Sequence, residues 1–287
     1  MKNFILAMLL LIPISIFADV EIHETFNNNL GFIGTKGTRT IYIKGNLERV
    51  DEISEMTGKF AMMMSRGKTS NKSIRITDLG KNVIYNIDPD KEVYSKINIK
   101  DIEKPDSLYN VDSLKANFEY EVKDMKESKI VNGFSAKHYI ATMRIIGEDK
   151  TDTLKIIDDM WVSKSIPEWN TIKNYSRLMA NNFSQGKNRK NERLKYMNDF
   201  YEKISKIDGY PVKTDISMYT SGSAEDGDDN SEKMQMSDIL GGGEKDTNNS
   251  INGFRLLHSL TNVKSVEKKN LNDNLFKLKS EWKEIGN

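Results

Sequence analysis

Apolar and polar residues alternate over much of the chain. In the stretch TKGTRTIYIKGNLERVDE, Thr38, Thr40, Tyr42 and Lys44 fall on one side, and Arg39, Ile41 and Ile43 on the other. A period of two marks a strand with one wetter face. Residues 73 to 99 carry three short β-prone runs separated by Leu79-Gly80-Lys81-Asn82 and Asp88-Pro89-Asp90-Lys91. Gly, Pro, Asp and Asn are turn formers, and the short spacing leaves no room for a parallel crossover, so an antiparallel meander is predicted. Asn132-Gly133 predicts a tight hairpin, and residues 153 to 163, with Trp161 near their end, predict the next strand.

The period changes between residues 168 and 207. Leu194, Met197, Tyr201 and Ile204 recur at helical spacing, extended by Phe200 and Ile207. Tyr175, Leu178 and Met179 start a weaker stripe, and Pro167-Glu168 suits a helix start. A helix pair laid on a largely antiparallel sheet follows. Residues 209 to 220 return to strand. The acidic, glycine-containing segment 221–250 reads as a long polar loop joining two adjacent strands. Two further strand-like pieces and a short element containing Trp282 close the chain. The fold class expected is mainly β (α+β): a curved antiparallel sheet or incomplete β-barrel, with helices packed against its concave side.

The start of the chain changes the picture. Lys2 is followed by an apolar run from Phe4 to Phe17, broken by Pro13, and then by Ala18. That is the pattern of a cleaved signal peptide, residues 1–18, and the run is short for a membrane span. Export to the periplasm is expected, with release outside the cell as the alternative. Residues 19–287 then form a single domain, large enough to bury a core without disulfides. The chain contains no cysteine, so thiolate metal sites and cysteine nucleophiles are excluded. Its 43 basic and 42 acidic residues give no reason to expect a nucleic-acid partner.

Candidate chemistry is sparse. His23, His138 and His258 are far apart in sequence and lack ligand spacing, so neither metal nor cofactor is expected. Asp158-Asp159 lies in a strand-like run, where neighbours face opposite ways, so the two carboxylates do not share a site. Gly67-Lys68-Thr69 lacks the upstream glycine of a phosphate cradle. Lys187, Arg189, Lys190, Arg193 and Lys195 make a basic patch that reads as a solvated helix face. Met62, Met63 and Met64 form a greasy segment of the kind that lines pliable apolar pockets.

The segments IYIKGNLERVDE, ITDLGKNVIYNIDPDKEVYSKI, VNGFSAKHYI, WVSKSIP and GYPVK, in that order, resemble the family DUF4412, and VKSVEKKNLNDNLFKL resembles its closing segment. The resemblance runs over roughly residues 30 to 280. It implies an exported bacterial protein with a fold similar to the lipoprotein carriers LolA and LolB, in which an incomplete barrel wraps helices around an apolar cavity. It carries across no catalytic residues. Asp88, Pro89, Gly209, Pro211, Tyr85 and Tyr94 match motif positions that look structural.

The function expected is non-catalytic binding of a lipid, acyl chain or lipoprotein between sheet and helices. Met62, Met64, Tyr85, Trp161 and Leu178 are the expected cavity-facing residues. The alternative is an envelope protein-binding module or scaffold with a packed interior.

Overall fold

The structure, a computed structural model, describes residues 18–31, 33–58, 70–101, 117–147, 152–184, 200, 203–220 and 254–286. Twelve strands form one sheet among these residues. They are β1 (Asp19–Leu30), β2 (Ile33–Lys44), β3 (Leu47–Thr57), β4 (Ser70–Asp78), β5 (Val83–Asp88), β6 (Val93–Asn98), β7 (Asn117–Val131), β8 (Phe134–Ile146), β9 (Asp152–Ser163), β10 (Tyr210–Thr220), β11 (Phe254–Lys269) and β12 (Lys283–Glu284). One helix, α1 (Trp169–Ser184), follows β9, and residues 203–205 end a second helical segment.

The spatial order is β12-β6-β5-β4-β3-β2-β1-β11-β10-β9-β8-β7. Two meanders, β1 to β6 and β7 to β11, are joined where β11 returns to pair antiparallel with β1. The expected meander at 73–99 is present as β4-β5-β6. Segment 221–250 lies outside the described residues, but the strands it connects, β10 and β11, are neighbours as expected. Where an antiparallel sheet was expected the sheet is mixed, because β12 pairs parallel with β6 over Lys283 and Glu284. It is open, with β7 and β12 at opposite edges.

Local chemistry explains the turns. Asn132 and Gly133 have φ of 53° and 86°, the two positive angles a two-residue hairpin of matching twist needs. Asp88 caps the β5–β6 turn by accepting from the backbone N–H groups of Asp90 and Lys91. Gly37 has a different role. A Cβ there would strike the Ile53 carbonyl and the Phe26 ring, so the position admits no side chain.

Register defines two faces. One row on the helix side runs Ile22–Ile41–Val50–Arg75–Asn86–Ser95 across six strands. A parallel row runs Val20–Ile43–Glu48–Thr77–Ile84–Ile97. Helix α1 lies on this face, contacting β1, β2 and the 3-10 turn Ile99–Asp101. Ile172 and Tyr175 enter the main core with Val20, Ile22, Ile43 and Ile84. On the opposite face the C-terminal segment is strapped over β3 to β6. Leu271, Phe276 and Trp282 pack with Ile76 and Ile87. Lys44 donates to the Leu271 carbonyl, and Arg49 to that of Leu275. At the β7–β10 wing, Phe200 and Ile204 of the second helical segment, and Ile207 just after it, pack with Ala141, Met143, Ile156 and Met160.

Candidate functional site

The helix side of β3 to β6 is built from alternation with an interruption. Val20, Ile22, Glu24 and Phe26 occupy one face of β1, so a carboxylate stands where the period calls for an apolar residue. Glu48 does the same on β3, directly opposite Thr77. Both acids are buried, at 6% and 8% exposure. Burial pushes the pKa of each up from the ordinary carboxylate value. For Glu24 the rise is opposed by a hydrogen bond from the Tyr210 hydroxyl, 2.9 Å long, and by the Arg39 guanidinium at 3.8 Å. For Glu48 it is opposed by Arg75.

Arg39 lies on the apolar side of its strand, opposite both Glu24 and Glu52. Its Nε and Nη2 donate to one Glu52 oxygen at 3.1 and 2.8 Å, and its guanidinium sits 5.1 Å from the Phe26 ring centroid. Arg75 reaches Glu48 only at 3.6 Å, beyond hydrogen-bond range. Tyr175 descends from α1 beside Glu48 and Thr77, and burial drives its hydroxyl pKa upward. Glu48 Oε1, Thr77 Oγ1 and Tyr175 OH are fully enclosed, and none completes a hydrogen bond. The three form a polar seat at one point of contact between sheet and helix, where enclosed polar atoms are costly to leave without partners.

Next to this seat, two positions along the strands, is a cavity of about 500 Å³. Arg39, Glu52, Arg75 and Asn86 line it, together with the apolar Val50, Val93 and Ile285. Charged and apolar walls therefore meet in one space. Such a space can hold an amphipathic molecule, its polar end on the charged rows. Among the described residues no group of three or more His, Asp or Glu can hold a metal ion. No described helix is long and apolar enough to cross a membrane.

Of the sequence-predicted cavity residues, the described ones, Tyr85, Trp161 and Leu178, do not line this space. Met62 and Met64 lie outside the described residues, as do Gly67-Lys68-Thr69 and the basic patch. Tyr85 is on the opposite face, under the C-terminal strap, with its ring edge-to-face to Tyr94 at 5.9 Å. Trp161 is buried in a stack with His138, with centroids 4.5 Å apart and Lys129 Nζ 3.9 Å from its ring centroid. Leu178 is exposed on α1. Glu24, Glu48, Arg39 and Arg75 were missed by the sequence reading. Their signal was available, since each is a charged residue in phase with a row of Val and Ile.

The aspartate pair separates as expected. Asp158 is buried, with Ala141 and Ile216 as its pairing partners, while Asp159 pairs across the sheet with Ile140 and Asp215. Asp159 Oδ1 lies 3.0 Å from His138 Nε2 and accepts its hydrogen bond when that nitrogen carries the proton. Burial, reinforced by the charges of Asp159 and Asp215, pushes the Asp158 pKa up to about 7.

The model of the family described as "Domain of unknown function (DUF4412)" matches residues 33–224, more than half of the chain. No curated protein matches it. Among solved structures the chain is similar, at 9% identity and a TM-score of 0.28, to a "putative outer membrane lipoprotein-sorting protein domain" from Vibrio parahaemolyticus; the match covers 91% of this chain and 90% of that one. A DUF1329 family protein from Desulfovibrio piger is similar at 9% identity and a TM-score of 0.27, over 92% of this chain and 91% of that one. TM-scores this low do not establish a common fold.

Proposed function

This chain belongs to the DUF4412 family, and we propose that it is an exported, non-catalytic protein of the bacterial envelope that reversibly binds a lipid or other acylated ligand. The observation that carries the reading is the cavity of about 500 Å³ on the helix side of the sheet, where Val50, Val93 and Ile285 meet Arg39 and Arg75. Each methylene withdrawn from water against such a wall contributes about 0.8 kcal/mol. The polar rows fix the orientation of the bound molecule, as the few polar groups of small-molecule sites do. The arrangement of an open sheet with helices on one face is compatible with a LolA-like carrier. The work we assign to it is holding a ligand in the periplasm.

The test is native mass spectrometry of mature protein purified from its own envelope fraction, followed by organic extraction. A stoichiometric acyl-bearing compound is expected. A protein that emerges empty and takes up no lipid from micelles would sink the carrier reading in favour of an envelope scaffold.

A further inference from the structure

We propose that the cavity selects ligands with an anionic head group, seated on Arg75, with Asn86 and Ser95 as the neighbouring neutral donors; this rests on the binding reading above. The case comes from which charges around the cavity are already committed. Arg39 is held by Glu52 at 2.8 Å. Asp88 is turned to the β5–β6 turn, where Lys91 Nζ lies 2.6 Å from it and two backbone N–H groups donate to it. Arg75 is different. Its ion partner among the described residues is Glu48 at 3.6 Å, too far for a hydrogen bond, and the Glu48 oxygen it approaches is itself enclosed and unpartnered. The Arg75 side chain is half exposed on the cavity side, so its five donors are not sealed away.

Register places the supporting donors. Arg75 pairs with Asn86, and Asn86 with Ser95, so a guanidinium, an amide and a hydroxyl stand in one row across β4, β5 and β6. Val50 occupies the next place in the row on β3. A planar, bidentate anion such as a carboxylate matches the guanidinium fork, and a phosphate offers the same chemistry. The apolar end of the ligand then lies along Val50, Val93 and Ile285.

Titration of the delipidated mature protein with laurate, dodecanol and inorganic phosphate, each below any micelle concentration, separates the possibilities. Laurate is expected to bind at least tenfold tighter than dodecanol. Arg75→Gln should remove that difference while leaving dodecanol unchanged, and Arg75→Lys should restore part of it. Asn86→Asp, which keeps side-chain size and sets a negative charge beside Arg75, should weaken laurate alone and guards against a misfolded Arg75 variant. Equal affinity for laurate and dodecanol would overturn the head-group assignment while leaving the acyl cavity standing. Phosphate binding that is lost in Arg75→Gln, with no binding of either acyl compound, would support the anion seat and overturn the acyl reading. Failure of all three probes overturns both.

Discussion

The two wings of the helix face share one strand period and have opposite interiors. Across β3 to β6 the inward rows mix Val50 and Ile84 with Glu48, Glu52, Arg75 and Thr77, and a cavity remains. Across β8 to β9 they hold Ala141, Met143, Ile156 and Met160, closed over by Phe200 of the second helical segment. Each wing also buries acid. In the first, Glu24 has Tyr210 and Arg39, and Glu48 has Arg75 nearby. In the second, Asp158 feels burial and the repelling charges of Asp159 and Asp215. A charge among apolar residues thus has two outcomes: it is opposed by another charge beside a polar cavity, or it is neutralised by a proton inside a filled core.

The largest expected effect tests the lone acid. An aspartate ordinarily titrates near 3.8, and Asp158 in the folded protein titrates near 7. Below the lower value both folded and unfolded chains carry the proton, so the group contributes its full stability there. As pH rises between the two values the unfolded chain releases a proton that the folded chain retains, and stability falls. The shift corresponds to roughly 4 kcal/mol, lost between about pH 4 and pH 8. Asp158→Asn should flatten that part of the profile. Glu24 and Glu48 are also raised and slope the same way, so the informative quantity is the difference between wild type and variant in urea unfolding at each pH. Parallel profiles would mean that Asp158 is not an isolated buried acid.

The next effect contrasts filled with unfilled packing. Met143 is 1% exposed on β8, and Met143→Ala should cost about 3 kcal/mol, because the surroundings relax only partly around the lost volume. Val50→Ala, at a wall that already borders open space, should cost roughly half as much or less. Urea midpoints decide it, and equal losses would erase the distinction between the wings.

Much of the fold was legible because it depends on local chemistry. Asn132-Gly133 makes its hairpin, the turns at Leu79 and Asp88 join antiparallel neighbours, and Pro167-Glu168 precedes a helix starting at Trp169. Long-range pairing was less visible. Nothing local tells β11 to pair with β1, or a two-residue strand to run parallel beside β6. The C-terminal region also forms one long strand, β11, in place of the two pieces expected, followed by the strap. The candidate site was readable only in part. Parity correctly sends Arg39 to the side of Ile41 and Ile43, yet periodicity does not say which strand will stand opposite, so its partner Glu52 could not be named. Tyr85 shows the converse. Its strand is right, but side depends on register with Ile76, and that register turns it away from α1 toward the C-terminal strap.

The smallest effect tests how the polar wing holds its acid. Tyr210 lies at the start of β10, just after Gly209, whose φ of 136° suits glycine, and its hydroxyl donates to Glu24 on β1. That bond joins the two meanders on the helix side, as does the one from Ser259 to Asn28. Tyr210→Phe removes the donor while keeping the ring, so the packing contribution is preserved and the Glu24 oxygen loses its closest partner. The expected cost is about 1 kcal/mol at neutral pH. It should shrink as pH falls, because the hydrogen bond favours the ionised carboxylate and a protonated Glu24 has less need of a donor. Unfolding of wild type and variant at neutral and mildly acidic pH measures both quantities. A cost that stays constant with pH would assign Tyr210 to packing alone, and Arg39 would then be what keeps Glu24 in the buried row.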